Sequence, residues 1–154
     1  MKNDASKTAT RKQRDPRSGA RSVARKLALQ ALYRLQLNDG PWQDIVSDFS
    51  VEEDMDRADR DYFIEIVQGV ATQRAALDAK LSDWTDRKPA ELDPVEHAVL
   101  LIGVHEMCVR LDVPWRVIVN EAVMLTRRFG ATDAHKYVNA VLDRAARALR
   151  SQEH

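Results

Sequence analysis

The sequence has 154 residues, a length that fits one domain or two small, closely packed subdomains. Hydrophobic residues make up 44% of it, and 5 Gly and 5 Pro are too few for the many tight turns of an all-β fold. The formal net charge is zero, but residues 1–34 hold ten Lys or Arg against two Asp, whereas residues 38–65 hold ten Asp or Glu against two Arg. The balanced net charge therefore does not exclude a nucleic-acid partner.

Cysteine content and hydropathy favour a protein of the reducing cytoplasm. Cys108 is the only cysteine, so it cannot form an internal disulfide, and its apolar neighbours predict a small buried thiol. No apolar stretch approaches the roughly 18 residues of a membrane span, and the charged N-terminus lacks the apolar segment of a signal peptide. We expect a cytoplasmic protein that does not interact with a membrane.

The first predicted elements are a tail and a long helix. Residues 1–17 are polar, charged and aperiodic, which predicts a flexible basic tail. Ser18 or Ser22 is the expected cap of a helix that runs to about Leu37, before the turn sequence of residues 38–41. Its apolar residues recur at helical spacing: Ala24, Leu27, Ala28, Ala31, Leu32 and Leu35. The residues expected on its other faces are Arg25, Lys26, Gln30 and Tyr33.

The remainder of the chain also has helical periodicity. Helices are expected over Trp42–Phe49 and over residues 59–81, followed by a link at residues 82–93. Asp93 is the expected cap of a helix with Pro94 in its first turn, and apolar residues point in nearly every direction along that helix.

Two more helices complete the chain. Pro114 is expected to open one that Gly130 ends, and Thr132 or Asp133 to cap the last. The pattern predicts an all-α fold of about seven helices in two small packed bundles, residues 18–82 and 83–150, forming one compact unit.

Signatures of an enzyme are missing. The segment His105-Glu106-Met107-Cys108-Val109 resembles the helical zinc motif of two His four residues apart, but Val109 stands where the second His is required. The sequence has no glycine-rich phosphate loop and no nucleophile elbow. We predict a protein that is not an enzyme and has no metal or cofactor. Two interpretations of Glu106 remain open: a carboxylate at the bundle edge or paired with an Arg, and one exposed on a partner-binding face.

Two segments are candidates for nucleic-acid binding. A basic cluster runs from the tail onto the first helix: Arg11, Lys12, Arg14, Arg17, Arg21, Arg25 and Lys26. Such a cluster can neutralise phosphates, and Tyr33 can stack on an unpaired base, although a merely solvated basic tail is equally consistent with the charges. Lys136 and Tyr137 begin the last helix, where a cation and an aromatic ring can hold a phosphate and a base. The alternative there is a peripheral core Tyr beside a solvated Lys.

Three segments in order resemble the NusB family of transcription antitermination factors. They are residues 24–33 (ARKLALQALY), 113–122 (VPWRVIVNEA) and 129–143 (FGATDAHKYVNAVLD), and the likeness extends over about residues 21–149. The resemblance implies a fold of two helical subdomains. It also implies binding of the single-stranded boxA RNA of ribosomal RNA operons, together with the small-subunit ribosomal protein NusE, in an antitermination complex on RNA polymerase that supports processive transcription.

The resemblance also assigns roles to individual residues. Five residues match RNA-binding positions of the family: Arg21, Arg25, Gln30, Lys136 and Tyr137. The charge pattern adds Lys26 to this set. Tyr33 and Glu96 match positions near the NusE interface, and Asp133 matches one that tunes RNA and partner affinity. The chain departs from the family at Ser22 and Val23, since family members often carry a run of arginines there.

Two other classes of protein are compatible with parts of this pattern. The RNA-binding domain fused to ribosomal-RNA cytosine methyltransferases shares this fold, but 154 assigned residues leave no space for a cofactor-binding domain. The alternative to RNA binding is a purely structural helical homodimer with an incidental basic tail, and a homodimer of the free protein is left open in either case.

Overall fold

The computed structural model describes residues 17–153, so the predicted tail lies outside the described residues except for Arg17. The described part is all-helical and contains no strand. Its seven α-helices are α1 (Ser18–Leu37), α2 (Trp42–Phe49), α3 (Arg60–Thr72), α4 (Arg74–Leu81), α5 (Pro94–Val109), α6 (Trp115–Phe129) and α7 (Ala134–Leu149). Short 3-10 helices lie at Glu53–Arg57, Pro89–Glu91 and Ser151–Glu153. The predicted fold class is confirmed.

Helix α1 buries the apolar stripe that its sequence predicts. Ala24, Leu27, Ala28, Ala31 and Leu32 are all buried, and Leu35 packs against the core at its edge. The helix packs on α3 and α5 and ends at Asn38, whose extended backbone starts the predicted turn. The predicted serine cap is wrong, because the N-cap position is held by Arg17 without a side-chain capping bond.

The prediction of a single helix over residues 59–81 is wrong, because this segment is divided into two helices, α3 and α4. Asp59 caps α3 by accepting a hydrogen bond from the Tyr62 backbone N–H at 3.1 Å. The helix breaks at Gln73, where φ is −112° and ψ is 17°. Leu77 and Leu81 nevertheless lie buried, as predicted, where α4 packs on α5. The apolar spacing therefore continues across the break and gives no sign of it.

Helix α5 is the centre of the bundle, as its all-round apolar sequence predicts. Twelve of its 16 residues are buried, and it packs on α1, α3, α4, α6 and α7. Asp93 caps it through bonds from the backbone N–H groups of Val95 and Glu96. Residues from all seven α-helices form one hydrophobic core cluster. The division into subdomains at residues 82 and 83 stays a prediction.

Two local expectations at the ends of helices are wrong. Cys108 is exposed, because it lies with exposed Val109 on the outer side of the last turn of α5, whereas Glu106 and Met107 of the same turn are buried. Asp133 holds the N-cap position of α7, but its φ of 67° is left-handed and its side chain makes no capping bond. Neither residue therefore has the role that its sequence context predicts.

Candidate nucleic-acid interface

The start of α1 turns its arginines inward. Arg25 is 2% exposed, its Nε donates to Glu106 Oε1 at 2.8 Å, and its Nη2 donates to the Tyr62 hydroxyl at 3.2 Å. Its Nη1 lies 3.3 Å from Glu121 Oε1. The expectation that Arg25 lies on an outer face is therefore wrong: two carboxylates on other helices compensate its charge inside the bundle.

The same contacts decide between the two interpretations of Glu106. Its side chain is 1% exposed, and it accepts from Arg25 and, at 2.5 Å, from the Tyr62 hydroxyl. The paired interpretation is confirmed, and the exposed partner-binding face is wrong. Burial by itself would lower the pKa of Arg25. The nearby carboxylate of Glu106 acts in the opposite direction, and the pKa of Arg25 is raised, so Arg25 stays a cation. This pair is part of the structural framework of the candidate site.

Arg21 lies one turn before Arg25 and is also buried. Its guanidinium stacks on the Tyr62 ring at 4.6 Å and pairs with Asp112 Oδ2 at 3.2 Å. Asp59 lies near it as well, with Oδ2 3.9 Å from Nε. Arg21 lines a groove of about 540 Å³ between the start of α1 and α6, whose walls include exposed Val117 and Met124. Arg21 therefore lies at the edge of the surface, and its positive charge is already compensated by the carboxylates of Asp112 and Asp59.

The outer face of α1 carries three of the predicted residues. Lys26, Gln30 and Tyr33 lie four and three residues apart, so they share one face of the helix. Gln30 is exposed and Tyr33 is 37% exposed. Lys26 is largely covered because its ammonium pairs with Asp54 in the first 3-10 helix. Hydrogen bonds from Lys26 and Arg57 lower the pKa of Asp54, which stays an anion.

Helix α7 presents the other predicted set. Lys136 has a side chain that is 73% exposed and pairs with Asp133 at 3.4 Å. Tyr137 is half-buried and packs against the core, while its hydroxyl donates to Asp86 Oδ1 at 3.1 Å. Burial and the bond to Asp86 raise the pKa of Tyr137. The side chain therefore has both a core-facing side and an accessible side.

A residue that the sequence interpretation missed covers the Tyr137 ring. The guanidinium of Arg87 lies 4.3 Å from the ring centroid, a cation–π contact. Arg87 also acts on Glu96, where burial and Asp93 raise the pKa of the carboxyl and Arg87 opposes them. The only sequence signal for Arg87 is a basic residue in the link at residues 82–93, a segment that periodicity cannot place against α7.

The predicted partner-binding residues differ in accessibility. Tyr33 is exposed, and Asp133 has a side chain that is 67% exposed. Glu96 is only 8% exposed in the first turn of α5, so its carboxylate offers little surface to a partner. Exposed Leu37 follows Tyr33 by one turn on α1 and adds apolar surface there. The accessible part of the predicted partner site is thus the second half of α1 together with Asp133 before α7.

Residues 17–153 show neither a metal site nor a membrane span. No group of three or more His, Cys, Asp or Glu side chains in this part of the chain is arranged to hold a metal ion. None of the described helices is long and apolar enough to cross a bilayer.

Comparison with solved structures gives the class of the fold. Thermotoga maritima NusB superimposes with a TM-score of 0.76 at 23% identity, covering 88% of this chain and 93% of that one. A crystal structure of the antitermination factors NusB and NusE in complex with dsRNA superimposes with a TM-score of 0.68 at 22% identity, covering 82% and 96%. This chain therefore has the same all-helical fold as these two structures.

Comparison of sequences gives the family. The NusB family model matches residues 22–147. The transcription antitermination protein NusB of Marinomonas sp. is 45% identical over 154 residues, which is 98% of this chain and 88% of the relative. The protein of the same name from Xylella fastidiosa is 47% identical over 133 residues, or 86% and 85%. The chain belongs to the NusB family of transcription antitermination proteins, and these are binding factors, not enzymes.

Proposed function

We propose that the protein binds single-stranded boxA RNA of ribosomal RNA operons together with NusE and thereby supports processive transcription by RNA polymerase. The observation that carries the proposal is the position of exposed Lys136 beside half-buried Tyr137 at the start of α7, with the Arg87 guanidinium on the outer side of the ring. A phosphate is bound by the ammonium and the helix N-terminus, while an unpaired base stacks on the ring in place of the Arg87 guanidinium. Action on nascent transcripts also places the protein in the cytoplasm.

The proposed RNA surface is narrower than the set of residues that the sequence predicts. It keeps Lys136 and Tyr137 on α7, with Lys26 and Gln30 on the outer face of α1, and Arg21 at its margin. Arg25 is left out, because its guanidinium is buried against Glu106. We assign Arg25 a positioning role, since it joins α1 to α5 and α6 and so fixes the helix that carries Lys26 and Gln30.

NusE is the proposed protein partner, and Tyr33 with Leu37 is its proposed contact. Both side chains are exposed on successive turns of α1, and an aromatic beside an aliphatic residue is a typical centre of a protein interface. The solved relative that contains NusE supports this proposal. That complex was solved with double-stranded RNA, so the strandedness of the RNA needs its own test.

A gel-shift series tests the proposal. The protein, with and without NusE, is mixed with boxA RNA as a single strand, as a duplex with its complement, and with its sequence mutated. We expect the protein alone to bind the single-stranded boxA RNA weakly and the mixture with NusE to bind it tightly. Mutation of the boxA sequence should abolish this binding. Equal affinity for all three RNAs would contradict boxA recognition, and preference for the duplex would contradict base stacking.

One observation favours a second candidate function, the structural homodimer. Exposed apolar side chains lie at the end of α5, in the following loop and on α6: Val109, Leu111, Val117 and Met124. Such surface is typical of an interface between proteins. Light scattering after size exclusion, with NusE present or absent, separates the two functions. A dimer that persists in the presence of NusE and boxA RNA would favour the structural homodimer.

A further inference from the structure

The accessible part of the Tyr137 ring is occupied by another segment of the same chain. Asp86, Arg87 and Lys88, here called the cover segment, lie in the link between α4 and α5. The Arg87 guanidinium lies 4.3 Å from the centroid of the Tyr137 ring, and Asp86 Oδ1 accepts from the Tyr137 hydroxyl at 3.1 Å. Because Tyr137 otherwise packs against the core, a base that stacks on this ring has to take the place of Arg87.

The chain is fixed on both sides of the cover segment. On the N-terminal side, the carbonyl of Trp84 accepts two hydrogen bonds from the Arg144 guanidinium of α7, at 3.0 and 2.8 Å. On the C-terminal side, the 3-10 helix at Pro89–Glu91 leads to Leu92, which is 6% exposed in the core. Both fixed points lie outside the cover segment, so its residues can leave the ring while the fold on either side stays in place.

Between these fixed points the contacts are few. The side chains of Asp86 and Arg87 are 79% and 44% exposed, and Lys88 is exposed as well. Within the described part of the chain, the side-chain hydrogen bond and the ring contact that join Asp86 and Arg87 to an α-helix both go to Tyr137. The ion pair between Arg87 Nε and Asp86 Oδ1, at 3.7 Å, stays within the segment. The cover segment is therefore held on the ring by surface contacts, which are individually weak.

The strengths of the two competing contacts decide which of them prevails. A guanidinium on an aromatic ring at an exposed site favours the closed arrangement by about two- to fivefold. A base that stacks on the same ring favours the bound arrangement by about five- to 150-fold. RNA can therefore displace Arg87, but its affinity is reduced by the contact that it has to break.

We propose that the cover segment competes with RNA for the Tyr137 ring, so that Arg87 limits RNA affinity and the opening of the segment is a step of binding. This inference rests on the proposed function, in which a base stacks on Tyr137. RNA that is attracted through its phosphates alone leaves Arg87 in place, whereas RNA that presents an unpaired base displaces it. The contact therefore keeps the ring covered until an unpaired base is available.

Gel shifts of single-stranded boxA RNA with the full-length protein and NusE test the competition. Lys88→Ala is the matched control, because it removes the neighbouring exposed cation, for which the structure shows no contact with Tyr137. Arg87→Ala uncovers the ring, and we expect its RNA affinity to exceed that of Lys88→Ala by about two- to fivefold. When Tyr137→Ala is also present, Arg87→Ala should give no gain over Lys88→Ala, because there is no ring left to uncover.

NMR follows the opening of the segment directly. In the free protein the Nε–H signal of Arg87 should carry a ring-current shift from Tyr137, which Tyr137→Leu should remove. Saturation with boxA RNA and NusE should move the signal of the parent protein to its position in Tyr137→Leu, because the guanidinium has left the ring. An Arg87 signal that keeps its ring-current shift in the complex would show that no base replaces the guanidinium, and would overturn the proposal.

The outcomes separate this inference from the proposed function. If Tyr137→Ala leaves RNA affinity unchanged, base stacking and the competition are both contradicted. If Tyr137→Ala weakens binding but Arg87→Ala gives no gain over Lys88→Ala, only the competition is contradicted. A loss of affinity with Arg87→Ala that is the same with and without the Tyr137 ring would make Arg87 a direct RNA contact, and would also overturn the competition.

Discussion

Arg25 of α1 and Glu106 of α5 form an ion pair inside the helical bundle, with Arg25 Nε 2.8 Å from Glu106 Oε1. Both side chains are at most 3% exposed, so neither charge has water as an alternative partner. Breaking a buried pair by removing one partner is strongly destabilising, because the remaining charge is left uncompensated.

The first prediction follows from this pair. We expect Arg25→Met to lower the free energy of unfolding by about 3–5 kcal/mol, since Glu106 is left buried without its cation. The double variant with Glu106→Gln should recover part of the loss, because the orphaned charge is removed as well. Urea denaturation of the two single variants and the double variant measures the coupling. Strictly additive losses would show that the two residues do not act as a pair.

The second prediction concerns the ring of Tyr137. Tyr137→Ala should weaken binding of boxA RNA by about 1–3 kcal/mol, the value of one base–aromatic stack, whereas Tyr137→Phe should retain most of the affinity. Gel shifts and thermal melts are measured together. A fall in thermal stability without a fall in RNA affinity would show that the ring is only a peripheral core residue.

Lys136→Ala belongs to the same surface and has a matched control. It should make the slope of the log affinity against log salt shallower by about 0.7, the contribution of one phosphate contact to a single strand. Arg147→Ala removes an equally exposed cation further along α7, where it pairs with Asp143. An identical change of slope in both variants would indicate non-specific attraction to the helix.

The fourth prediction is a gain of affinity. Lys26 is paired with Asp54, so its charge is partly neutralised before RNA arrives. Asp54→Asn should free the ammonium, raise RNA affinity and steepen the salt slope by up to about 0.7. Asp56→Asn removes an exposed carboxylate two residues away in the same 3-10 helix and controls for net charge. Equal gains from both changes would assign the effect to net charge alone.

The fifth prediction is a pH dependence of folding. Burial lowers the pKa of His105 in the folded protein below its unfolded value of about 6.5. Below that pH the unfolded chain binds a proton that the folded chain does not, so stability is lost as the pH falls towards the folded pKa. We expect His105→Gln to lose less stability than the parent protein between pH 7.5 and 5.5 in urea denaturation. Parallel losses in the two proteins would show that His105 makes no contribution.

The sequence predicts the helices well because each one depends on local periodicity. The stripe of α1, the all-round apolar surface of α5 and the Asp93 cap are visible within a few residues of chain. Arg25 is different: its partner Glu106 lies 81 residues away, and polar periodicity alone assigns a guanidinium to the surface. The contact of Arg87 with Tyr137 is missed for the same reason, since it joins a link segment to a later helix.

Breaks and ends of helices are the other part that sequence patterns do not reveal. Gln73 is a good helix former, and the apolar spacing continues from Val70 to Leu77, so the division of α3 from α4 has no local signal. Arg150 is a comparable case. It is buried and donates to the carbonyls of Met107, Val113 and Arg110 at 2.9–3.0 Å, and nothing in the sequence next to it indicates these distant partners.

The break at Gln73 also leaves α4 as a short, separate helix. Helix α4 has eight residues, of which only Leu77 and Leu81 are buried, and Asp78 ties it to His97 of α5 at 2.6 Å. So short a helix has little stability of its own once these contacts are released. Amide hydrogens of α4 should therefore exchange with solvent through local opening, while those in the middle of α5 exchange only when the whole chain unfolds.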